Sequence, residues 1–262
     1  MWRVFLIDDA VSRLESMLIS VPELNTVGSR NNSHESSGKE DSENNSGNNI
    51  ENKRIETLSG IASVLLPLVK KGDEWHILLT LRAKKMRHHG GEVAFPGGMW
   101  EPGDNNLVDT ALRECEEEVA ISPQAISVLG GLPFSQTRHL TRVRPVVGIV
   151  HSLDGMLANP SEIAEIFTVP LAFFIADPRI RTDIFTQKDK GLTRRVPAYD
   201  YQGYEIWGFT ASVIVQLINR GFACTSDKVS CENGNRMSGN APNEIKGETI
   251  RLHSAPEKIW IY

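Results

Sequence analysis

The stretch that most constrains this chain is residues 97–121, GGMWEPGDNNLVDTALRECEEEVAI, in which a glycine-rich turn runs into an amphipathic helix. Val108, Ala111, Leu112, Cys115 and Val119 recur at the spacing that gathers side chains into one buried stripe. Glu114, Glu117 and Glu118 stand at i, i+3 and i+4, so the polar face presents three carboxylates together. Like charges at this spacing destabilise a helix unless they are solvated, paired with Arg113, or coordinated to a divalent cation. Spacing alone leaves a wet surface face and a metal site both open. Hard cations such as Mg²⁺ take carboxylate oxygens and substrate phosphates, which makes phosphate chemistry the reading to pursue.

Composition sets outer bounds. A chain of 262 residues holds one large domain or two small ones, and 40% apolar content suffices for a core. The net charge of −5 argues against non-specific nucleic-acid binding. No apolar run is long enough to span a bilayer, so no membrane partner is expected. The amino-terminal residues 1–15 set Asp8, Asp9 and Glu15 against Arg3 and Arg13, unlike a basic, acid-poor transit peptide. The default expectation is therefore the cytosol, with peroxisome and mitochondrion as alternatives. Cys115, Cys224 and Cys231 form no C-x-x-C pair, and Cys115 falls on the apolar side of the acidic helix as a small core residue.

Ala10, Val11, Leu14, Met17 and Leu18 predict a helix that follows the caps Asp8 and Asp9 and ends before Pro22. Residues 1–27 thus read as a helical extension. Residues 28–49 carry no large apolar side chain and cannot offset their ordering entropy, so a disordered linker is expected over 28–57. Strands are expected at 61–69 and 75–81, joined by a turn at Lys71-Gly72-Asp73, with Pro67 marking an edge or a bulge. A basic cluster follows, Arg82, Lys84, Lys85, Arg87, His88 and His89, and GGEVAFPGG then returns to the acidic helix. Further strands are expected at 125–132 and 143–150, the second buried. A loop at 159–165, carrying Glu162 and Glu165, leads into a strand and a short helix through Phe174. A hairpin around Gln202-Gly203 and a closing helix ended by Gly221 complete the domain at 58–221, and 222–262 reads as a polar tail.

Gly98, Asp104, Arg113, Glu114, Cys115, Glu117, Glu118, Ala120 and Ile121 fill, in order, the places of the Nudix box, which this segment resembles. Asp104 replaces the usual glutamate, the spacer to Arg113 is one residue longer, and Ala120 replaces a glycine. Just upstream, LLTLRAKKMRHHGGEVAFPGG at 78–98 resembles the coenzyme A diphosphatase signature of that family, LLTxRSxxLRxHxGEVxFPGG, with Ala83 and Met86 as the departures. The resemblance covers residues 60–221. It implies an α/β fold, an α/β/α sandwich around a mixed β-sheet.

By the same resemblance, Glu114, Glu117 and Glu118 with the Gly98 carbonyl would hold Mg²⁺ or Mn²⁺, Arg113 would orient a glutamate, and Glu162 or Glu165 would add a ligand or the general base. The implied substrate is coenzyme A or an acyl-CoA, hydrolysed to 3′,5′-ADP and 4′-phosphopantetheine or its acyl form. A polyanion needs local cations, and Arg82, Lys84, Lys85, Arg87 and His89, beside Gly97 and Gly98, are the candidates to receive it. His89 has two open roles, binding phosphate or bonding backbone in its turn. ADP-ribose or another nucleoside diphosphate derivative is the competing substrate, and a non-catalytic nucleotide-binding module the competing class.

Overall fold

A computed structural model describes residues 2–25, 57–187 and 192–222. Residues 28–56 of the expected linker, and all of the expected tail but Phe222, lie outside these. Helix α1 (Trp2–Met17) starts before Asp8 and Asp9, which lie inside it instead of capping it, and it stops earlier than expected. Pro22 sits in the first turn of a second short helix, α2 (Val21–Asn25), where its missing N–H has no helical partner to lose.

The hairpin expected next is present as β1 (Ile61–Lys71) and β2 (Glu74–Arg82), yet the two strands pair only near their turn, Leu68 with Ile77 through Lys71 with Glu74. Beyond that they separate like a fork. The gap is filled by β3 (Val93–Ala94), which pairs with β2, and β4 (Gly97–Met99), which pairs with β1. Pro67 therefore does not mark an edge: β1 is central, with β7 (Arg142–Val150) parallel on its other side. The Leu65 N–H points into the fork, to the Pro96 carbonyl at 2.9 Å, and by strand alternation so does the donor-less nitrogen of Pro67. It falls where the neighbour changes from β4 to β2, so no ladder bond is lost.

Helix α3 (Leu107–Val119) follows, then β5 (Ile126–Gly131), β6 (Ser135–Gln136) and β7 (Arg142–Val150), the last buried between β1 and β5 as expected. β8 (Ile163–Pro170) pairs with β2 and runs into the short helix α4 (Leu171–Ile175). Strand β9 (Arg179–Gln187) was not foreseen. It joins β10 (Leu192–Tyr201) and β11 (Tyr204–Ile206) in a separate three-stranded sheet, before the closing helix α5 (Gly208–Gly221).

Period-two alternation sends side chains of the main sheet to two cores. Leu65, Val69, Leu78 and Val146 pack under Val108, Ala111, Cys115 and Val119 of α3. Leu66, Leu68, Ile77 and Leu79 pack against Val11 and Leu14 of α1, Phe174 of α4 and Ile214 of α5. A mixed sheet with helices on both faces is the result, and α1 belongs to its core. Gly221 leaves no room for a Cβ because Leu14 occupies that space. Cys115 is fully buried, and burial pushes its thiol up to about 12, which suits a core residue and not a nucleophile.

Both ends of α3 are locally determined. Asn106 caps it, its side-chain oxygen accepting from the N–H groups of Val108 at 2.8 Å and Asp109 at 3.0 Å. At the other end Ala120 holds φ 55° and ψ 30°, the left-handed conformation that glycine adopts without strain. Ala120→Gly is therefore expected to raise unfolding stability by about 1 kcal/mol, read from chemical denaturation. An unchanged or lowered midpoint would show that the left-handed alanine costs nothing there.

Candidate active site

The fork is what brings glycine and acid together. A Cβ on Gly97 would collide with the backbone of Ser63 and Val64, and one on Gly98 would collide with the Glu114 carboxylate. Two glycines thus let β4 lie flat on β1 while α3 settles directly above it.

Arg113 organises the acidic face. Its Nε and Nη2 reach the two carboxylate oxygens of Asp104 at 2.9 and 3.1 Å, Nη1 reaches Glu114 at 3.0 Å and Glu117 at 3.1 Å, and Nη2 also donates to the Met99 carbonyl at 3.1 Å. All of the guanidinium's N–H capacity is used. Asp104 is 4% exposed and also accepts from the Thr110 hydroxyl at 2.8 Å and the Glu101 N–H at 3.1 Å. Burial would raise its pKa, but Arg113 and these donors outweigh that and hold it below the usual carboxylate range. The substitution of aspartate at this place thus leaves the pairing to Arg113 intact.

Glu118 is the most deeply set acid, 2% exposed. One oxygen accepts from Arg82 Nη1 at 3.1 Å and the other from the Gly97 N–H at 3.2 Å. Burial pushes its pKa up to about 7 against the pull of Arg82 and Gly97, and the charges of Glu114 and Glu162 push the same way. Burial likewise raises Glu114, opposed by Arg113 and assisted by Glu117 and Glu162. Glu162 is therefore electrostatically part of the site. Its loop is tied to the end of α3 by Leu157 N–H to the Val119 carbonyl at 3.0 Å and Asn159 N–H to the Glu118 carbonyl at 2.9 Å.

In this arrangement no three of the described His, Cys, Asp or Glu side chains are gathered tightly enough to hold a metal ion. Arg113 holds Glu114 and Glu117 while Arg82 holds Glu118. The donor set nevertheless fits a hard cation: all its donors are oxygens, and burial, with repulsion from neighbouring acids added, already raises two of them. Glu117 is the most exposed of the three, at 57%.

Other expected residues fall differently. Arg82 sits inside the site, bonded to Glu118 and to the Met86 sulfur, and not on a free basic surface. Lys84, Lys85 and Arg87 are exposed on the turn that follows and form no ion pair with another described residue. His89 Nδ1 bonds the Glu92 carboxylate at 2.9 Å instead of a backbone group of its turn. Its ring also meets the edge of His139, centroids 5.7 Å apart, so the 137–141 turn borders the basic turn, a contact between distant segments that no local pattern announces. Glu165 lies in β8 and not on the preceding loop, and its carboxylate accepts from the Tyr204 hydroxyl, in a pair with Phe167 stacked on the Tyr204 ring at 4.0 Å.

Fold and site together define an α/β/α sandwich whose acidic helix rests on a paired-glycine turn. The NUDIX domain model matches residues 60–184. The uncharacterized Nudix hydrolase NudL of Photorhabdus laumondii is 39% identical over 165 residues, 63% of this chain and 87% of the relative. That of Yersinia pestis is 40% identical over 157 residues, 60% of this chain and 77% of the relative. A MutT/nudix family protein of Enterococcus faecalis aligns over 78% of this chain and 74% of its own, with a TM-score of 0.41 and 16% identity. The chain belongs to the NUDIX family and is a Nudix hydrolase, an enzyme of phosphorus-containing anhydrides. None of the described helices is long and apolar enough to cross a membrane.

Proposed function

We propose that this Nudix hydrolase cleaves the diphosphate bond of coenzyme A and acyl-CoA, giving 3′,5′-ADP and 4′-phosphopantetheine or its acyl form. The observation that carries the reading is the Arg82–Glu118 bond at 3.1 Å, which makes the basic turn continuous with the acidic helix. Cations for a polyanion and carboxylates for its counter-ions border one place. Glu114, Glu117, Glu118 and the Gly98 carbonyl would hold Mg²⁺ or Mn²⁺. When bound, such an ion supplies neutralisation of the diphosphate and acidification of a water.

The protein's own groups do the rest. Arg113 sets the angle of Glu114 and Glu117, Arg82 orients the buried Glu118 and opposes the effect of its burial, and Lys84, Lys85 and Arg87 receive outer phosphates. Glu162 is the candidate general base, since its charge acts on both Glu114 and Glu118, whereas the Glu165 carboxylate is engaged by Tyr204.

Coenzyme A differs from its dephospho form by the 3′-phosphate alone. A charge-assisted hydrogen bond contributes roughly 1.5–3 kcal/mol, so kcat/KM is expected to fall at least about tenfold without that phosphate. The loss is expected to shrink in Arg87→Ala, which lacks a receiving group. The assay follows 3′,5′-ADP release from coenzyme A and AMP release from dephospho-coenzyme A, beside ADP-ribose. A clearly higher kcat/KM for ADP-ribose would overturn the substrate while leaving the hydrolase intact.

A further inference from the structure

We propose that Arg144 and Arg142 of β7 form, beside Phe134, a binding site for a phosphate-type anion on the sheet face that carries the acidic helix. Residues 119–153 contain no aspartate or glutamate, while Arg138, His139, Arg142 and Arg144 fall together within residues 138–144. Arg144 is 5% exposed, and its Nη1 donates to the Leu132 carbonyl at 2.9 Å. Its Nε is fully buried without a partner. Burial and the charge of Arg142 push its pKa down to about 10, and no described carboxylate pulls it back. The side chain is thus a cation at neutral pH in a setting that disfavours one. The centre of the Phe134 ring lies 3.6 Å from the guanidinium carbon of Arg144 and 4.4 Å from that of Arg142. An aromatic face and one carbonyl offset only part of the cost of burying a charge, whereas an anion would offset it directly and answer Arg142 as well.

Strand register places the pair. Gln136 stands opposite Arg142 and Ser135 opposite Val143, so continuing the ladder sets Phe134 opposite Arg144, on the same face as Arg142. Ser135 turns to the other face, where its hydroxyl accepts from Gln216 of α5 at 2.8 Å. Gly98, Ser63 and Arg144 form one row across β4, β1 and β7, and a Cβ on Gly98 would meet the Glu114 carboxylate. Two strand spacings therefore set the Arg144 backbone about 10 Å from Gly98, on the side of the sheet where Glu114 lies. Arg142 is exposed, so an anion meets it from solvent. Two guanidinium forks match a dianionic tetrahedral group, which brings more charge and more acceptor oxygens than a carboxylate. Such a group has two sources, an outer phosphate of a substrate held at the acids or free phosphate.

Inorganic phosphate titrated against the full chain in chelator, and followed by phosphorus NMR, should bind saturably in about the millimolar range. Chelator removes any metal through which phosphate could reach the acids. Arg142→Gln, at an exposed position, and Arg144→Met, which removes a buried charge and leaves no polar group behind, should each weaken binding at least about tenfold. Arg87→Ala should bind phosphate as the wild type does. No saturable binding to the wild type, unchanged binding in folded Arg142→Gln, or a loss in Arg87→Ala in its place would each overturn the site. The source is read from the ratio of kcat/KM for coenzyme A over dephospho-coenzyme A, an arm that rests on the coenzyme A reading. A ratio lowered at least about fivefold in Arg142→Gln assigns the site to the substrate's phosphate. A wild-type ratio beside lost phosphate binding assigns it to free phosphate. If coenzyme A is not hydrolysed at all, the phosphate titration still decides the site, so the two readings fail separately.

Discussion

Replacing Glu118 or Glu117 with Gln is expected to lower turnover at least about a hundredfold in the presence of Mg²⁺ while the fold survives. Glutamine keeps the length and the acceptor that meets the Gly97 N–H at 3.2 Å from Glu118, but removes the charge that a cation and Arg82 require. Hydrolysis close to the wild-type rate in either variant would sink the metal assignment. Glu118 adds a second readout that needs no substrate. Its pKa stands at about 7 when folded, against an ordinary value of 4.5, so the folded state holds a proton that the unfolded chain has released over that interval. Its contribution to stability is complete below about pH 4.5 and is lost as pH rises through 7, a fall of order 3 kcal/mol in metal-free protein. Glu114, also raised, tilts the curve the same way, whereas Asp104, lowered, acts only at more acid pH. Denaturation in chelator between pH 5 and 7 should therefore show stability falling in the wild type and a much flatter line in Glu118→Gln. A wild-type curve that rises over that interval would show that Glu118 is ionised throughout.

Removing the Arg113 side chain is expected to destabilise the protein by about 3–5 kcal/mol, because it strands the Asp104 carboxylate, 4% exposed, without its counter-ion. Activity should fall as well, since Glu114 and Glu117 lose the group that orients them. Lysine cannot replace a fork that serves three carboxylates and a carbonyl, so Arg113→Lys should recover less than half of the stability. The diagnostic variant is Arg113→Ala combined with Asp104→Asn. Neutralising the stranded charge should restore part of what Arg113→Ala alone loses, whereas purely additive losses in urea titrations would show that the two side chains act independently.

The acidic helix was legible because everything that forms it is local. Its apolar stripe recurs at helical spacing, Asn106 caps it two and three residues ahead, and the i, i+3, i+4 acids share a face wherever the helix goes. The paired glycines and the hairpin of β1 and β2 were readable for the same reason, as were the strand–helix succession after residue 159 and the helix that closes on Gly221. The left-handed exit at Ala120 follows from backbone sterics and the place of one residue in a helix end. Those features the sequence determined by itself.

What tertiary structure decided is which charges meet. Arg82 read as one cation of a basic turn, and it was the fork between β1 and β2 that brought it to Glu118, residues separated by two short strands, two turns and most of a helix. His89 turned to Glu92, and Glu165 was drawn away by Tyr204, a strand of the second sheet that no periodicity tied to β8. Glu162 joined the site because backbone bonds from residues 157 and 159 fasten its loop to the end of α3. Pro67 lies in a central strand because the neighbour changes beside it. Periodicity reports which side of an element is buried, but a carboxylate's partner and pKa depend on distances set by segments far apart in the chain, and only the folded sheet fixes those.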